Sequence, residues 1–238
     1  MWLFTYVCLS TGAAMVVLLI IFALAVFVLP NVWAKWVLKR HTRGRDDYPG
    51  TGAELADHLL RRLGIEGASV ERTEFGDHYD PETRCVRLSP DNYDGRSLTA
   101  VTVAAHEVGH AIQHHQGYAP LLARSRLVGV AQKAEKLGAL LMMAAPFLFL
   151  LTRLPGGLAI VVAMAVISFG TAALVHLVTL PVEFDASFNR ALPLLKEYVP
   201  PYDMPGARHV LTACAFTYVA ASLASVMNLG RWLVILRR

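Results

Sequence analysis

The chain has 238 residues, of which 55% are hydrophobic, a composition too apolar for an ordinary soluble domain and indicative of membrane-spanning segments. Its formal net charge is +4, and its basic residues form no stripe with interleaved aromatic residues, which argues against a nucleic-acid-binding protein. The three cysteines, Cys8, Cys85 and Cys214, lie far apart and lack the spacing of a disulfide framework or a zinc knuckle.

The first segment, Trp2–Leu29, carries no charged residue and is long enough to cross a bilayer. Because it lacks both a positive start and a small-residue cleavage site, residues 1–30 are predicted to be an uncleaved transmembrane anchor rather than a signal peptide. A basic run follows the anchor, consisting of Lys35, Lys39, Arg40, Arg43 and Arg45. The positive-inside rule therefore predicts that this end of the anchor faces the cytoplasm.

A polar block from residue 31 to residue 136 comes next. Thr51 is predicted to cap an amphipathic helix, Gly52–Leu63. The segment Val70–Leu88 contains short alternating runs around a proline turn and is predicted to form a small β-sheet. A longer helix is predicted over Leu98–Gln113.

The longer helix contains an HExxH motif, His106-Glu107-Val108-Gly109-His110. Residues i and i+4 share one helical face, so His106 and His110 can bind one zinc ion together. Glu107 can then act on a metal-bound water as general base and acid. The alternative is a pair of helix histidines that bind no metal. With the motif in place, the block 31–136 is interpreted as a zincin-like catalytic domain.

Three more apolar segments follow the polar block. Leu137–Thr152 and Leu158–Leu180 are predicted to form a transmembrane hairpin over residues 137–180. Val210–Leu229 is predicted to be the fourth span, inside a C-terminal transmembrane segment over residues 210–238. The expected fold is therefore mainly α: a polytopic membrane protein with about four transmembrane helices and a membrane-associated catalytic domain containing a small β-sheet.

Residues 181–209, between the third and fourth spans, are predicted to begin with a polar helix that carries the third zinc ligand. A catalytic zinc ion usually has three protein ligands, and Gln113 and Gln116 stand where the extended metzincin motif has glycine and histidine. Because two predicted spans separate the HExxH helix from Glu183, both would lie on the same side of the membrane. Glu183 is therefore the preferred third ligand, and a surface glutamate at the membrane interface is the alternative.

The residues around Glu183 were placed by the period of an ideal helix. Ser187 and Arg190 would share the face of Glu183, whereas Asp185 would point away from it. Ser187 is predicted to orient a ligand. Arg190 is predicted to stabilise an oxyanion in catalysis, or to pair with a carboxylate. A surface role is preferred for His114 and a hydrogen bond to a neighbouring helix for His176, and metal ligation is the alternative for each.

Several separated motifs resemble the YugP-type membrane zinc metallopeptidases of bacteria. The similar runs are Asp77-His78-Tyr79-Asp80-Pro81, Val86-Arg87-Leu88-Ser89-Pro90, Ala104-Ala105-His106-Glu107-Val108-Gly109-His110-Ala111-Ile112-Gln113 and Pro181-Val182-Glu183-Phe184-Asp185-Ala186-Ser187. The resemblance implies a neutral zinc endopeptidase-like protein of the bacterial cytoplasmic membrane, with a plan related to the HtpX and CAAX-processing membrane proteases. Those relatives use a Glu-x-x-Ala-Asp motif for the third ligand. Glu183 matches its glutamate, and Ser187 replaces its aspartate.

The combined prediction is a membrane-embedded zinc metalloprotease of the gluzincin type. Zn²⁺ would be held by His106, His110 and Glu183, and the zinc-activated water would attack a peptide bond with Glu107 as general base and acid. Expected partners are a peptide or membrane-protein substrate, the lipid bilayer, and a regulatory membrane partner or a second copy of the chain. The expected location is the bacterial inner membrane, multi-pass, with the active site on the cytoplasmic side. Two alternatives stay open: cleavage by an HExxH motif buried in a span, and a non-catalytic membrane adaptor whose zinc is structural or absent.

Overall fold

The computed structural model describes residues 28–152 and 179–216. Helix α1 covers 28–40, and a loop leads from it to helix α2, Gly52–Arg62. The hydroxyl of Thr51 accepts a hydrogen bond from the backbone N–H of Glu54, and the carboxylate of Glu54 accepts one from the N–H of Thr51. This capping box fixes the start of α2 where the sequence predicts it.

A three-stranded sheet follows α2, as predicted for this segment. Strand β1 is Ser69–Arg72, β2 is His78–Asp80 and β3 is Cys85–Leu88. The strand order is β1-β3-β2, with β1 parallel and β2 antiparallel to the central strand β3. Because β3 lies in the centre, three of its four residues are buried, whereas β2 is half-buried at one edge.

Helix α4, Leu98–His115, forms the centre of the described structure, after the short helix α3, Pro90–Tyr93. The hydroxyl of Ser97 accepts a hydrogen bond from the N–H of Ala100 and caps the start of α4. Helix α2 and the sheet pack against α4, and nearly all residues of α4 are buried. Gly117, with a φ of 63°, ends the helix in a left-handed turn.

The segment after residue 178 forms one continuous helical path with a change of pitch. Helix α6 covers 179–184, a π-helical segment covers Asp185–Ala191, and helix α7 covers Leu192–Tyr198. Helix α8 then covers 204–216. The π-helical segment packs closely on α4 at Gly109, where a Cβ atom would lie 2.6 Å from the carbonyl oxygen of Ala186. Only glycine permits this approach between the two backbones.

The prediction of a polytopic protein with about four transmembrane helices is wrong for the part of the chain that the structure describes. None of the described helices is both long enough and apolar enough to cross a membrane. Leu137–Thr152 belongs to helix α5, Ala119–Thr152, whose first half carries several charged residues. The apolar half has 16 residues and a length of about 24 Å, shorter than the hydrocarbon core of about 30 Å.

The other predicted spans fall largely beyond the described ranges. Trp2–Leu29 and Leu158–Leu180 lie outside the described residues except for their last two residues. Val210–Leu229 is described as far as residue 216, and residues 210–215 of helix α8 are packed into the protein core. Their apolar character is therefore explained by contacts within the protein. Helix α4, which carries the HExxH motif, is among the described helices that are not both long enough and apolar enough to cross a membrane.

Candidate metal centre

Three predicted ligands meet beside the middle of α4. His106 and His110 project from successive turns of α4, and Glu183 approaches them from the end of α6. Oε2 of Glu183 lies 3.2 Å from Nε2 of His110 and 3.4 Å from Nε2 of His106. All three residues are buried, with exposed fractions of 4% for His106, 6% for His110 and 0% for Glu183. The fold thus brings a distant glutamate onto the histidine pair.

The second ring nitrogen of His106 is held by Ser187. The hydroxyl oxygen of Ser187 lies 3.0 Å from Nδ1 of His106 and 3.3 Å from the carbonyl oxygen of Leu211. Because the hydroxyl donates its hydrogen to the carbonyl, its oxygen accepts a hydrogen bond from Nδ1–H. His106 is therefore protonated on Nδ1, and its bare Nε2 faces Glu183.

The second ring nitrogen of His110 is held by Gln113 in the same way. The amide nitrogen of Gln113 donates to the carbonyl oxygen of Val182 and to Oδ2 of Asp185, both at 2.8 Å. Its amide oxygen lies 3.0 Å from Nδ1 of His110 and accepts a hydrogen bond from it. His110 also presents a bare Nε2 to Glu183, and Gln113 fixes the orientation of its ring.

These donors fit a zinc ion. Two bare nitrogens and one carboxylate oxygen are all lone-pair donors, and their ligand atoms lie within 4.8 Å of one another. A metal ion bound between them would relieve their mutual repulsion. Donors bound tetrahedrally to zinc are about 3.3 Å apart, which matches the two nitrogen–oxygen separations. Two histidines and one glutamate are also a ligand set found in catalytic zinc sites, where the fourth position stays open.

The two glutamates of the site differ in their proton affinity. Burial raises the pKa of Glu107 to about 7; the adjacent His106 lowers this pKa and the charge of Glu183 raises it. Burial also raises the pKa of Glu183, but the interactions of its carboxylate with the neighbouring His110 and His106 outweigh burial and hold this pKa well below its usual range. Glu183 thus stays ionised beside a cation, whereas Glu107 can gain and lose a proton near neutral pH.

Sequence reasoning missed Arg124, which lies in the second turn of α5. Its guanidinium nitrogen donates a hydrogen bond of 2.7 Å to Oε1 of Glu183. Neither a motif nor a helical period connects these two residues, because the contact depends on how α5 leaves the turn after α4. The one signal in the sequence is an arginine that precedes the apolar segment beginning at Leu137.

Arg190, predicted to share the face of Glu183, forms hydrogen bonds to Asp185 and Gln116 in the described structure. Its Nε donates to Oδ2 of Asp185 at 2.6 Å, and another guanidinium nitrogen donates to Gln116 at 2.6 Å. The segment between Glu183 and Arg190 is π-helical, with hydrogen bonds between residues i and i+5, so an ideal α-helical period misplaces the later residue. Arg190 therefore has the contacts of its other predicted role, pairing with a carboxylate. Its oxyanion role stays a prediction.

His114 has a different partner in the described structure. Nδ1 of His114 lies 2.9 Å from the hydroxyl oxygen of Tyr79 on strand β2. His176 lies outside the described residues. Asp185 accepts hydrogen bonds from Gln113 and Arg190 and is not among the clustered ligands.

Two sequence comparisons with known proteins point to the same kind of protein. Residues 16–237 match the sequence family described as "Putative neutral zinc metallopeptidase". A protein of Bacillus subtilis (strain 168) named "Putative membrane protease YugP" is 37% identical over 212 residues, which cover 86% of this chain and 91% of that protein. No solved structure matches the chain. The extent of both matches, together with a buried histidine–glutamate cluster that fits zinc, shows that the chain belongs to the neutral zinc metallopeptidase family.

Proposed function

We propose that this protein is a zinc-dependent peptidase whose metal ion is held by His106, His110 and Glu183. The observation that carries the proposal is the convergence of three buried lone-pair donors, with the glutamate oxygen at tetrahedral spacing from both histidine nitrogens. Ser187 and Gln113 support it, because their hydrogen bonds keep both imidazoles in the tautomer that a metal ion requires.

The chemistry follows from the residues around the cluster. Zinc bound there supplies Lewis acidity, which polarises a carbonyl group and makes water a stronger acid. Glu107 takes the proton from the attacking water and passes it to the leaving amine. A carboxyl group with a pKa of about 7 suits both transfers, because it exchanges its proton near neutral pH. The burial of Glu107 also excludes bulk water from competing for the proton.

We propose an extended peptide, or an extended segment of a membrane protein, as the substrate. Strand β2 lies at an edge of the described sheet, and the hydrogen bond between Tyr79 and His114 ties it to α4 one turn beyond His110. A peptide can add to such an edge as another strand through main-chain hydrogen bonds. This arrangement would lay the substrate along the helix that carries His106 and His110. A regulatory partner or a second copy of the chain remains a prediction.

Association with a membrane is the proposed setting. The relative from Bacillus subtilis is named a membrane protease. In this chain, α1 exposes large apolar side chains at Leu29, Val32 and Trp36, and the guanidinium of Arg40 lies 5.0 Å from the ring centre of Trp36. Tryptophan and basic residues together suit the headgroup region of an anionic membrane. The cytoplasmic orientation remains a prediction from the basic run after residue 34.

The proposed function is tested by Glu107→Gln in the full-length chain, with cleavage of casein and zinc content as the two measurements. Loss of a general base should lower the cleavage rate by about 10²–10⁴-fold while zinc is retained. The matched control is Glu66→Gln at an exposed position, which should cleave like the original chain. Undiminished cleavage by Glu107→Gln would refute the proposed role of this residue.

A further inference from the structure

The two carboxylate oxygens of Glu183 have different partners. Oε2 faces the bare Nε2 atoms of His106 and His110, whereas Oε1 accepts the hydrogen bond from Arg124. The whole glutamate side chain is inaccessible to solvent, so the guanidinium rather than bulk water is the partner of Oε1. A charged donor at 2.7 Å makes this a strong, directional contact that fixes the rotation of the carboxylate plane.

We propose that Arg124 is a positioning residue that keeps Glu183 a one-oxygen metal ligand and thereby keeps the fourth coordination position open. This inference rests on the proposed zinc site. Carboxylates bind metal ions through one oxygen or through both. If Oε1 lost its charged donor in this buried place, the metal ion would be the nearest positive group, and the carboxylate would turn to bind it with both oxygens. The second oxygen would then occupy the position that a catalytic site leaves for water or substrate.

Arg124 and Glu183 come from different helices, so their contact depends on how α5 and α6 are placed relative to each other. The ligand comes from α6 and the guanidinium from α5, whose first turn is anchored by the buried side chain of Leu121. An arginine can reach across this gap with a planar group and remain charged at any physiological pH. The neighbouring Arg126 is exposed on the same helix and provides a matched control.

The test uses the full-length chain loaded with Co²⁺, whose visible absorption reports coordination number. The original chain and Arg126→Met should show the intense bands of a four-coordinate ion, and the bands should shift when imidazole, a neutral ligand, enters the open position. Arg124→Met should bind cobalt with weaker bands and lose the imidazole-induced shift, because Oε1 has filled the position. Arg124→Lys, which keeps a charged donor, should resemble the original chain.

The outcomes separate this inference from the proposed function. Cobalt bands that persist in His106→Ala would refute the metal site itself. If His106→Ala abolishes the bands but Arg124→Met retains both the original spectrum and its response to imidazole, the role of Arg124 is refuted alone. Loss of all cobalt from a folded Arg124→Met, checked by circular dichroism, would also overturn the inference, which expects a ligand to be gained. Arg124→Gln repeats the test if the methionine variant does not fold.

Discussion

Gly109→Ala should damage both the stability of the fold and the metal centre. Gly109 lies between the two ligand histidines on α4, and a Cβ atom there would be 2.6 Å from the carbonyl oxygen of Ala186. Ordinary contact of a Cβ atom begins at 3.4 Å, so α4 and the π-helical segment would have to separate by about 0.8 Å. The obstructing atoms are backbone atoms, so a side-chain rotation cannot relieve the contact.

Two opposing effects of Gly109→Ala determine the change in the free energy of unfolding. Overpacking typically costs about 1–3 kcal/mol, and a rigid backbone obstacle places this case in the upper half of the range. Alanine gains about 1 kcal/mol over glycine in a helix interior. We therefore expect a net loss of about 1–2 kcal/mol in the free energy of unfolding. Separation of α4 from the segment behind it also moves His106 and His110 away from Glu183, so zinc affinity should fall.

Urea denaturation of the full-length chain, followed by circular dichroism, measures the effect of Gly109→Ala on stability. The matched control is Gly129→Ala in α5, where no atom lies within 4 Å of the added Cβ. That variant should be as stable as the original chain or gain up to about 1 kcal/mol. If Gly109→Ala were equally stable and bound zinc normally, the close approach of α4 and the π-helical segment would be refuted.

Three further predictions address the support of the metal ligands, the capping of α2 and the need for metal. Ser187→Ala should weaken zinc affinity by about 10–100-fold in chelator competition, whereas Ser125→Ala, which loses only a bond to its own helix, should not. Thr51→Ala should lower the free energy of unfolding by about 1 kcal/mol, as measured by urea denaturation, because the capping box is lost; equal stability would refute this. Removal of metal by a chelator should abolish casein cleavage and added zinc should restore it; cleavage that survives complete metal removal would contradict a zinc mechanism.

Local signals in the sequence were sufficient for the elements that carry the histidines. Ser97 caps α4, and the i, i+4 spacing places His106 and His110 on one face whatever surrounds the helix. No local signal marks Glu183 as a ligand. It was predicted because a catalytic zinc ion usually has three protein ligands, and the structure brings it to the histidine pair. The expected cap of α2 at Thr51 is also confirmed by its capping box.

Tertiary packing decided the features that the sequence did not reveal. The segment after Phe184 is π-helical, and neither hydropathy nor periodicity carries a signal for this change of pitch before Arg190. Arg124 reaches Glu183 because of the path of α5 after the turn at Gly117. Hydropathy also misled the interpretation of residues 210–215, since an apolar helix packed in a protein core has the same composition as a membrane span.

The zinc content of the purified full-length chain shows whether the three residues bind a metal ion. We expect about one zinc ion per chain, measured by mass spectrometry of the dissolved metal. We also expect His106→Ala, His110→Ala and Glu183→Gln each to lose this zinc, whereas Glu66→Gln should retain it. Full zinc occupancy in Glu183→Gln, or a folded original chain that takes up no zinc, would contradict the assignment of these three residues as the metal ligands.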